Sequence, residues 1–124
     1  MRKVIWRTPL TVEVANERGK NTLCSHLGIK FVAVGEDYLL ATMPVDDSTK
    51  QPRGLLNGGA SCALAETVGS TAANFCVDQS AFFCVGLDIN ANHVKAARSG
   101  LVTAIARPLH LGRKSQVWEI RIEN

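Results

Sequence analysis

The run QPRGLLNGGASCALAETVGSTAANFCV, residues 51–77, holds Glu66 and no other charge after Arg53, in a chain of which one-fifth is charged. From Asn57-Gly58-Gly59 onward it is built of helix formers and small residues, so it is expected to form one long helix reaching about Cys76. Asn57 is a favoured N-cap, and the two glycines let another group come close to the backbone there. At helical spacing Leu64, Val68, Thr71, Ala72 and Phe75 make a bulky stripe that needs a sheet to bury against. Cys62, Ala63, Gly69, Ser70 and Ala73 then surround Glu66 with small groups, a face suited to a second subunit or a ligand.

The flanking sequence supplies that sheet. Residues 11–18 read as a short amphipathic helix ending at Gly19. The runs IKFVAV and YLLATMPV flank Gly35-Glu36-Asp37 as a β-hairpin, and VDDSTKQP is turn chemistry. After Asp78-Gln79-Ser80, the runs FFCVGLDINANHVKAA and LVTAIARPLHL read as strands divided by the turn Arg98-Ser99-Gly100. A last strand, SQVWEIRI, places Val117, Ile120 and Ile122 in imperfect alternation with polar residues. The expected architecture is α+β: one domain spanning residues 1–124, in which an antiparallel sheet wraps one long helix.

Composition excludes several classes. The basic N-terminus breaks at Arg7-Thr8-Pro9 before an apolar region develops, so no secretory signal is read, and no stretch is apolar enough over about 18 residues to span a membrane. A cytoplasmic location is expected. The four cysteines, Cys24, Cys62, Cys76 and Cys84, are expected to be reduced and mostly buried, because a core of this size does not need disulfides. His26, His93 and His110 are scattered without metal-ligand spacing, so no metal site is expected. A net charge of +3 fits an anionic small ligand at least as well as nucleic acid, for which no motif is present.

Two readings of Glu66 stand side by side. With Ser70 and Asn74 it makes an i, i+4, i+8 stripe, which describes the wet face of any amphipathic helix. Alternatively, a carboxylate in a low-polarity cleft has a raised pKa and serves as base or nucleophile near neutral pH. The amides of Gly58 and Gly59 would then face an acyl carbonyl oxygen at the helix N-terminus and stabilise its oxyanion. Together these suit acyl transfer.

The segments ATMPVDDSTKQP, QPRGLLNGGASCALAETVGS, VGLDINANHVKAARSG and PLHLGRKSQVWEIRI resemble the hotdog-fold acyl-CoA thioesterases. Within that family they are similar to the bacterial branch acting on aryl-CoA and aryl-carrier-protein thioesters. The resemblance runs from about Ile5 to the C-terminus. It implies that Glu66 is the catalytic carboxylate, that Gly58 N–H polarises the thioester carbonyl, that Gln51 lies near the reacting group, and that Ser70 helps orient water. It also implies a homodimer or homotetramer with the active site at a dimer interface, the helices being buried between two sheets. Coenzyme A enters as part of the substrate, and no separate cofactor is implied. Three departures stand out. Asn57 replaces the family's usual His and cannot titrate. Arg53 replaces a usual aromatic and makes the mouth of the acyl pocket cationic. The family continues past the position of Asn124 with a turn and one more strand, so the sheet is expected to lack that strand, the chain being either naturally shortened or cut short.

Lys95 with Arg98, and Arg113 with Lys114, are candidate contacts for the phosphates of coenzyme A or ordinary loop charges. His93, in NANHVK, is either a hydrogen-bonded structural histidine or, as the resemblance implies, a residue near the bound thioester. The expected function is hydrolysis of acyl-CoA, foremost aroyl-CoA, or of the corresponding carrier-protein thioester. Two alternatives remain: a hotdog protein that binds such thioesters with weakened catalysis, and a hydroxyacyl dehydratase, which Asn57 disfavours because it supplies no catalytic His.

Overall fold

The computed structural model describes residues 3–124. Two short helices, α1 (Val12–Arg18) and α2 (Leu23–His26), precede the hairpin β1 (Lys30–Val34) and β2 (Leu39–Pro44). The long helix α3 (Gly58–Phe75) follows, and β3 (Leu101–Leu111) and β4 (Gln116–Glu123) close the chain. The four strands form one antiparallel sheet in the order β1-β2-β3-β4.

Each element has a local cause. Thr11 caps α1 by accepting the Val14 N–H, and Gly19 follows its last residue. A side chain on Gly19 would meet the Cys24 thiol, so the glycine lets α2 fold back closely on α1. The hairpin turn is closed by the Gly35 N–H donating to the Tyr38 carbonyl at 2.9 Å. The four-residue α2, capped by Thr22, is too short to leave a periodic signal in the sequence.

The core lies between the sheet and α3. Leu39, Ala41 and Met43 of β2 and Val102, Ala104 and Ala106 of β3 alternate inward and are buried, as one-sided strands require. Against them α3 buries Leu64, Val68, Thr71, Ala72 and Phe75, the stripe expected from spacing. Fully burying a Leu or Val side chain stabilises by roughly 1.5–3 kcal/mol, so this stripe fixes how the helix lies. Gly69 belongs to this packing and not to the surroundings of Glu66: a Cβ on it would sit 3.2 Å from Ile120 Cδ1. The missing side chain lets β4 close over the helix.

Two further expectations are corrected. Residues 82–97 form no strand; they run irregularly without a neighbouring ladder, and Phe83, Leu87 and Val94 are 81%, 96% and 91% exposed. Their β-forming composition cannot make a strand alone, because a strand needs a partner for its backbone groups. In β4 the inward side carries Gln116, Trp118, Ile120 and Ile122, while Val117 is exposed. As β4 lies at the sheet edge, even its inward residues are only half-buried.

At the far end of α3 the N-terminal segment ties the helix down. Arg7 and Thr8 N–H groups donate to the Phe75 carbonyl at 2.8 and 3.2 Å. Trp6 Nε1 donates to the Gly35 carbonyl at 2.7 Å, and its ring stacks on Trp118 with centroids 6.5 Å apart. Among the described residues no helix is long and apolar enough to cross a membrane.

Candidate active site

The turn before α3 is held from both sides. Gln51 N–H donates to the Leu55 carbonyl at 2.7 Å, Leu56 N–H to Ala97 at 2.8 Å and Asn57 N–H to Thr49 at 2.8 Å. Gly54, at φ +81°, supplies the left-handed residue the tight turn requires. Gln51 turns its amide oxygen back to the Arg53 N–H. Asn57 caps the helix through Oδ1, which accepts the Gly59 N–H at 2.7 Å. Gly58 is then the first helical residue, and its N–H has no intrahelical acceptor by helix geometry. The His93 ring lies directly over it, 3.2 Å from where a Cβ would stand. Gln51, Asn57, Gly58 and His93 therefore meet at one helix end.

Glu66 and Ser70 stand elsewhere. Eight residues separate Gly58 from Glu66, which at the helical rise is about 12 Å along the axis. That exceeds the hydrogen-bonding reach within which a base and an oxyanion donor serve one carbon. The constellation expected on a single helix is therefore not formed within one chain. Nor does one chain bury the carboxylate: Glu66 is exposed, not enclosed in the low-polarity cleft that was expected. Its outer side is touched by residues 82–97. Gly86 packs so closely against the Glu66 carboxylate that a Cβ there would displace it. Nearby, Cys84 N–H donates to Asn74 Oδ1 at 2.7 Å, and Asn74 Nδ2 donates to the Cys84 carbonyl at 3.1 Å. The unpaired segment thus crosses α3 from Asn74 through Glu66 to Gly58.

Two cavities open on the side of α3 that faces α1 and α2. One, of about 370 Å³, is bordered by Glu66, Thr67, Ser70 and Thr71 and floored by Ala15, Cys24 and Phe31. Arg18 also lines it. The other, of about 280 Å³, lies at the helix N-terminus beside Asn57, Gly59 and Lys50. Arg53 is exposed and lines neither. The cation at the cavity that Glu66 borders is Arg18, which the sequence presented only as a charge in the last turn of a short helix, where it complements the helix dipole.

The basic clusters part company. Lys95 and Arg98 flank Ala97, whose carbonyl is held at the N-terminal end of α3. Arg113 and Lys114 sit in the β3–β4 turn, beside Gln116, whose Nε2 donates to the Ala73 carbonyl near the other end of the helix. One chain does not gather both into a single rim.

The four thiols are free. Burial pushes the Cys76 thiol up to about 12, with the nearby Cys84 adding to the rise. Burial also pushes Cys84 and Cys24 up. Raised in this way, Cys24, Cys76 and Cys84 are poor nucleophiles at neutral pH.

The family model described as the thioesterase superfamily matches residues 53–124. The chain is 50% identical over 119 residues to the 1,4-dihydroxy-2-naphthoyl-CoA hydrolase of Escherichia coli K12, covering 96% of this chain and 87% of that protein. It is 49% identical over 119 residues to a proofreading thioesterase of Cronobacter turicensis, covering 96% and 86%. The crystal structure of a mutant thioesterase from Pseudomonas aeruginosa superposes with a TM-score of 0.94 at 50% identity, over 96% of this chain and 86% of that one.

Proposed function

The chain belongs to the thioesterase superfamily and is a thioesterase of hotdog fold, and from that premise we propose that it hydrolyses aroyl-CoA thioesters at a site completed by two copies of the chain. The observation that carries this reading is the separation of Gly58 and Glu66 on one helix. Two α3 helices packed antiparallel about a two-fold axis would set the Glu66 of one against the Gly58 of the other. The small residues on the outer face of α3 and the exposed apolar side chains of residues 82–94 support such pairing, since contiguous apolar surface of this kind marks an interface. An aroyl group is favoured because the E. coli relative is named for one.

In this mechanism a water molecule attacks the thioester carbon while Glu66 takes its proton. The carbonyl oxygen, now negative, accepts the Gly58 N–H, which already lies at the positive end of a helix. Collapse of the tetrahedral intermediate breaks the C–S bond; the coenzyme A thiolate departs and recovers a proton, and the free acid remains. Direct attack by Glu66 would instead form an anhydride that water then opens, with the same donor at work. Ser70 and Gln51 orient water and the reacting group. Asn57 holds the donor amide in place by capping the helix. His93, Lys95, Arg98 and Arg113 contact coenzyme A, the cations through its phosphates.

Mixing two inactive variants tests the shared site. Gly58→Pro deletes the donor N–H at a helix position that tolerates proline, and Asn57 already has the extended conformation that precedes one. Glu66→Gln removes the base. Each alone is expected to be inactive on benzoyl-CoA. Unfolded and refolded together, they should recover about a quarter of wild-type turnover, since half of randomly paired dimers are mixed and each holds one intact site. A mixture as inactive as its components would rule out the two-chain site.

A further inference from the structure

We propose that the cavity between α1, α2 and α3 receives the acyl group, and that Arg18 at its edge selects acyl groups carrying an oxygen acceptor, ionised or phenolic, at the end away from the thioester. The proposal rests on the reading of Glu66 as the catalytic carboxylate and adds a specificity residue to it.

The cavity has the shape of the task. Glu66 and Ser70 border it, so a thioester carbon beside Glu66 lies at its mouth, with room for the acyl group inside. Its floor of Ala15, Cys24 and Phe31 is apolar, and its volume of about 370 Å³ falls within the range of roughly 300–1,000 Å³ typical of small-molecule sites. Thr71, where Arg18 is attached, stands five residues beyond Glu66, about 7.5 Å further along the helix axis. That is a span bridged by a benzene ring with one substituent.

Arg18 is held for this use. Asn16, two residues earlier, exchanges two hydrogen bonds with the backbone of Phe31 at 3.0 and 2.9 Å, fixing α1 against β1. Arg18 Nη1 donates to Thr71 Oγ1 at 2.9 Å. Thr71 is buried, and its own hydroxyl proton goes to the Thr67 carbonyl at 2.8 Å. Its oxygen therefore meets Arg18 as an acceptor only. No ion pair among the described residues involves Arg18. Beyond the bond to Thr71 the guanidinium has its remaining N–H groups available, a fork suited to an oxygen acceptor and above all to a carboxylate.

The test compares benzoyl-CoA, 4-hydroxybenzoyl-CoA and 4-carboxybenzoyl-CoA. Wild type is expected to show a kcat/KM about 10- to 100-fold higher for at least one oxygen-bearing substrate than for benzoyl-CoA, the range a charge-assisted hydrogen bond supplies. In Arg18→Met that ratio should fall close to one, whereas Lys20→Met, which changes a neighbouring cation engaged with Glu17, should keep it. Which substrate carries the preference tells an ionised from a phenolic oxygen. A wild type that favours benzoyl-CoA, or a ratio that survives in Arg18→Met, would overturn the proposal. If none of the three is hydrolysed, the catalytic reading fails. Calorimetry with the matching non-hydrolysable ketone analogues then decides the cavity's preference alone: an Arg18-dependent ratio upholds it, and equal affinities end it.

Discussion

The two sides of α3 differ in what covers them. On the sheet side, Leu64, Val68 and Ala72 are fully buried by strands of the same chain, and close packing there fixes the helix. On the opposite side Glu66 borders an open cavity and meets a segment with no strand beside it, whose large side chains stand in solvent. One side is finished by folding, and the other is the side on which the proposed site and the proposed pairing lie. Residues that stabilise the helix and residues left uncovered are thus interleaved along 18 positions, with Leu64 and Glu66 only two positions apart.

The sharpest way to break this division is at its centre. Glu66→Gln should lower kcat by about 10²- to 10⁴-fold, the contribution of a positioned proton acceptor, while thermal unfolding stays within a degree or two of wild type. A large loss of stability would mean that the outer side also holds the fold. Leu64→Ala, two residues away, should do the reverse. It should cost about 2–5 kcal/mol in chemical denaturation and leave the turnover of the folded fraction near wild type. Asn57→Ala tests the boundary between the sides, because its cap serves the helix while holding the Gly58 amide. A stability loss of roughly 1 kcal/mol is expected, with a fall in kcat beyond what unfolding explains.

The smallest effect concerns pH. The Cys76 thiol rises from about 9 to about 12 on folding, so between these values the unfolded chain releases a proton that the native one keeps. Stability from this group is complete below about 9 and declines as pH climbs toward 12. Cys76→Ala should flatten that decline in melting temperature across this range, and an unchanged slope would assign it to other groups.

The sheet side of α3 was legible because its signals are local. Asn57 announces the start, the spacing of Leu64, Val68, Thr71, Ala72 and Phe75 gives the face, and Gly35-Glu36-Asp37 marks the hairpin. Residues 82–97 misled because β-forming composition says what a segment can pair as, not whether a neighbour is present. Gly69 misled because a small residue reads alike whether it makes room for a ligand or for Ile120. Arg18 was missed for a related reason. Its meaning comes from Thr71, 53 residues away in sequence, and no spacing rule within a seven-residue helix reveals that meeting.

The stacked pair of Trp6 and Trp118, nearly parallel at an interplanar angle of 9°, accounts for both tryptophans of the chain. The indole emission of this protein, and any exciton signal between the two rings, therefore originates at one joint where the N-terminal segment meets the outermost strand. Fluorescence will follow the fastening of that seam and stay nearly silent about events at Glu66 or Arg18. A dye or a labelled substrate is needed to see those.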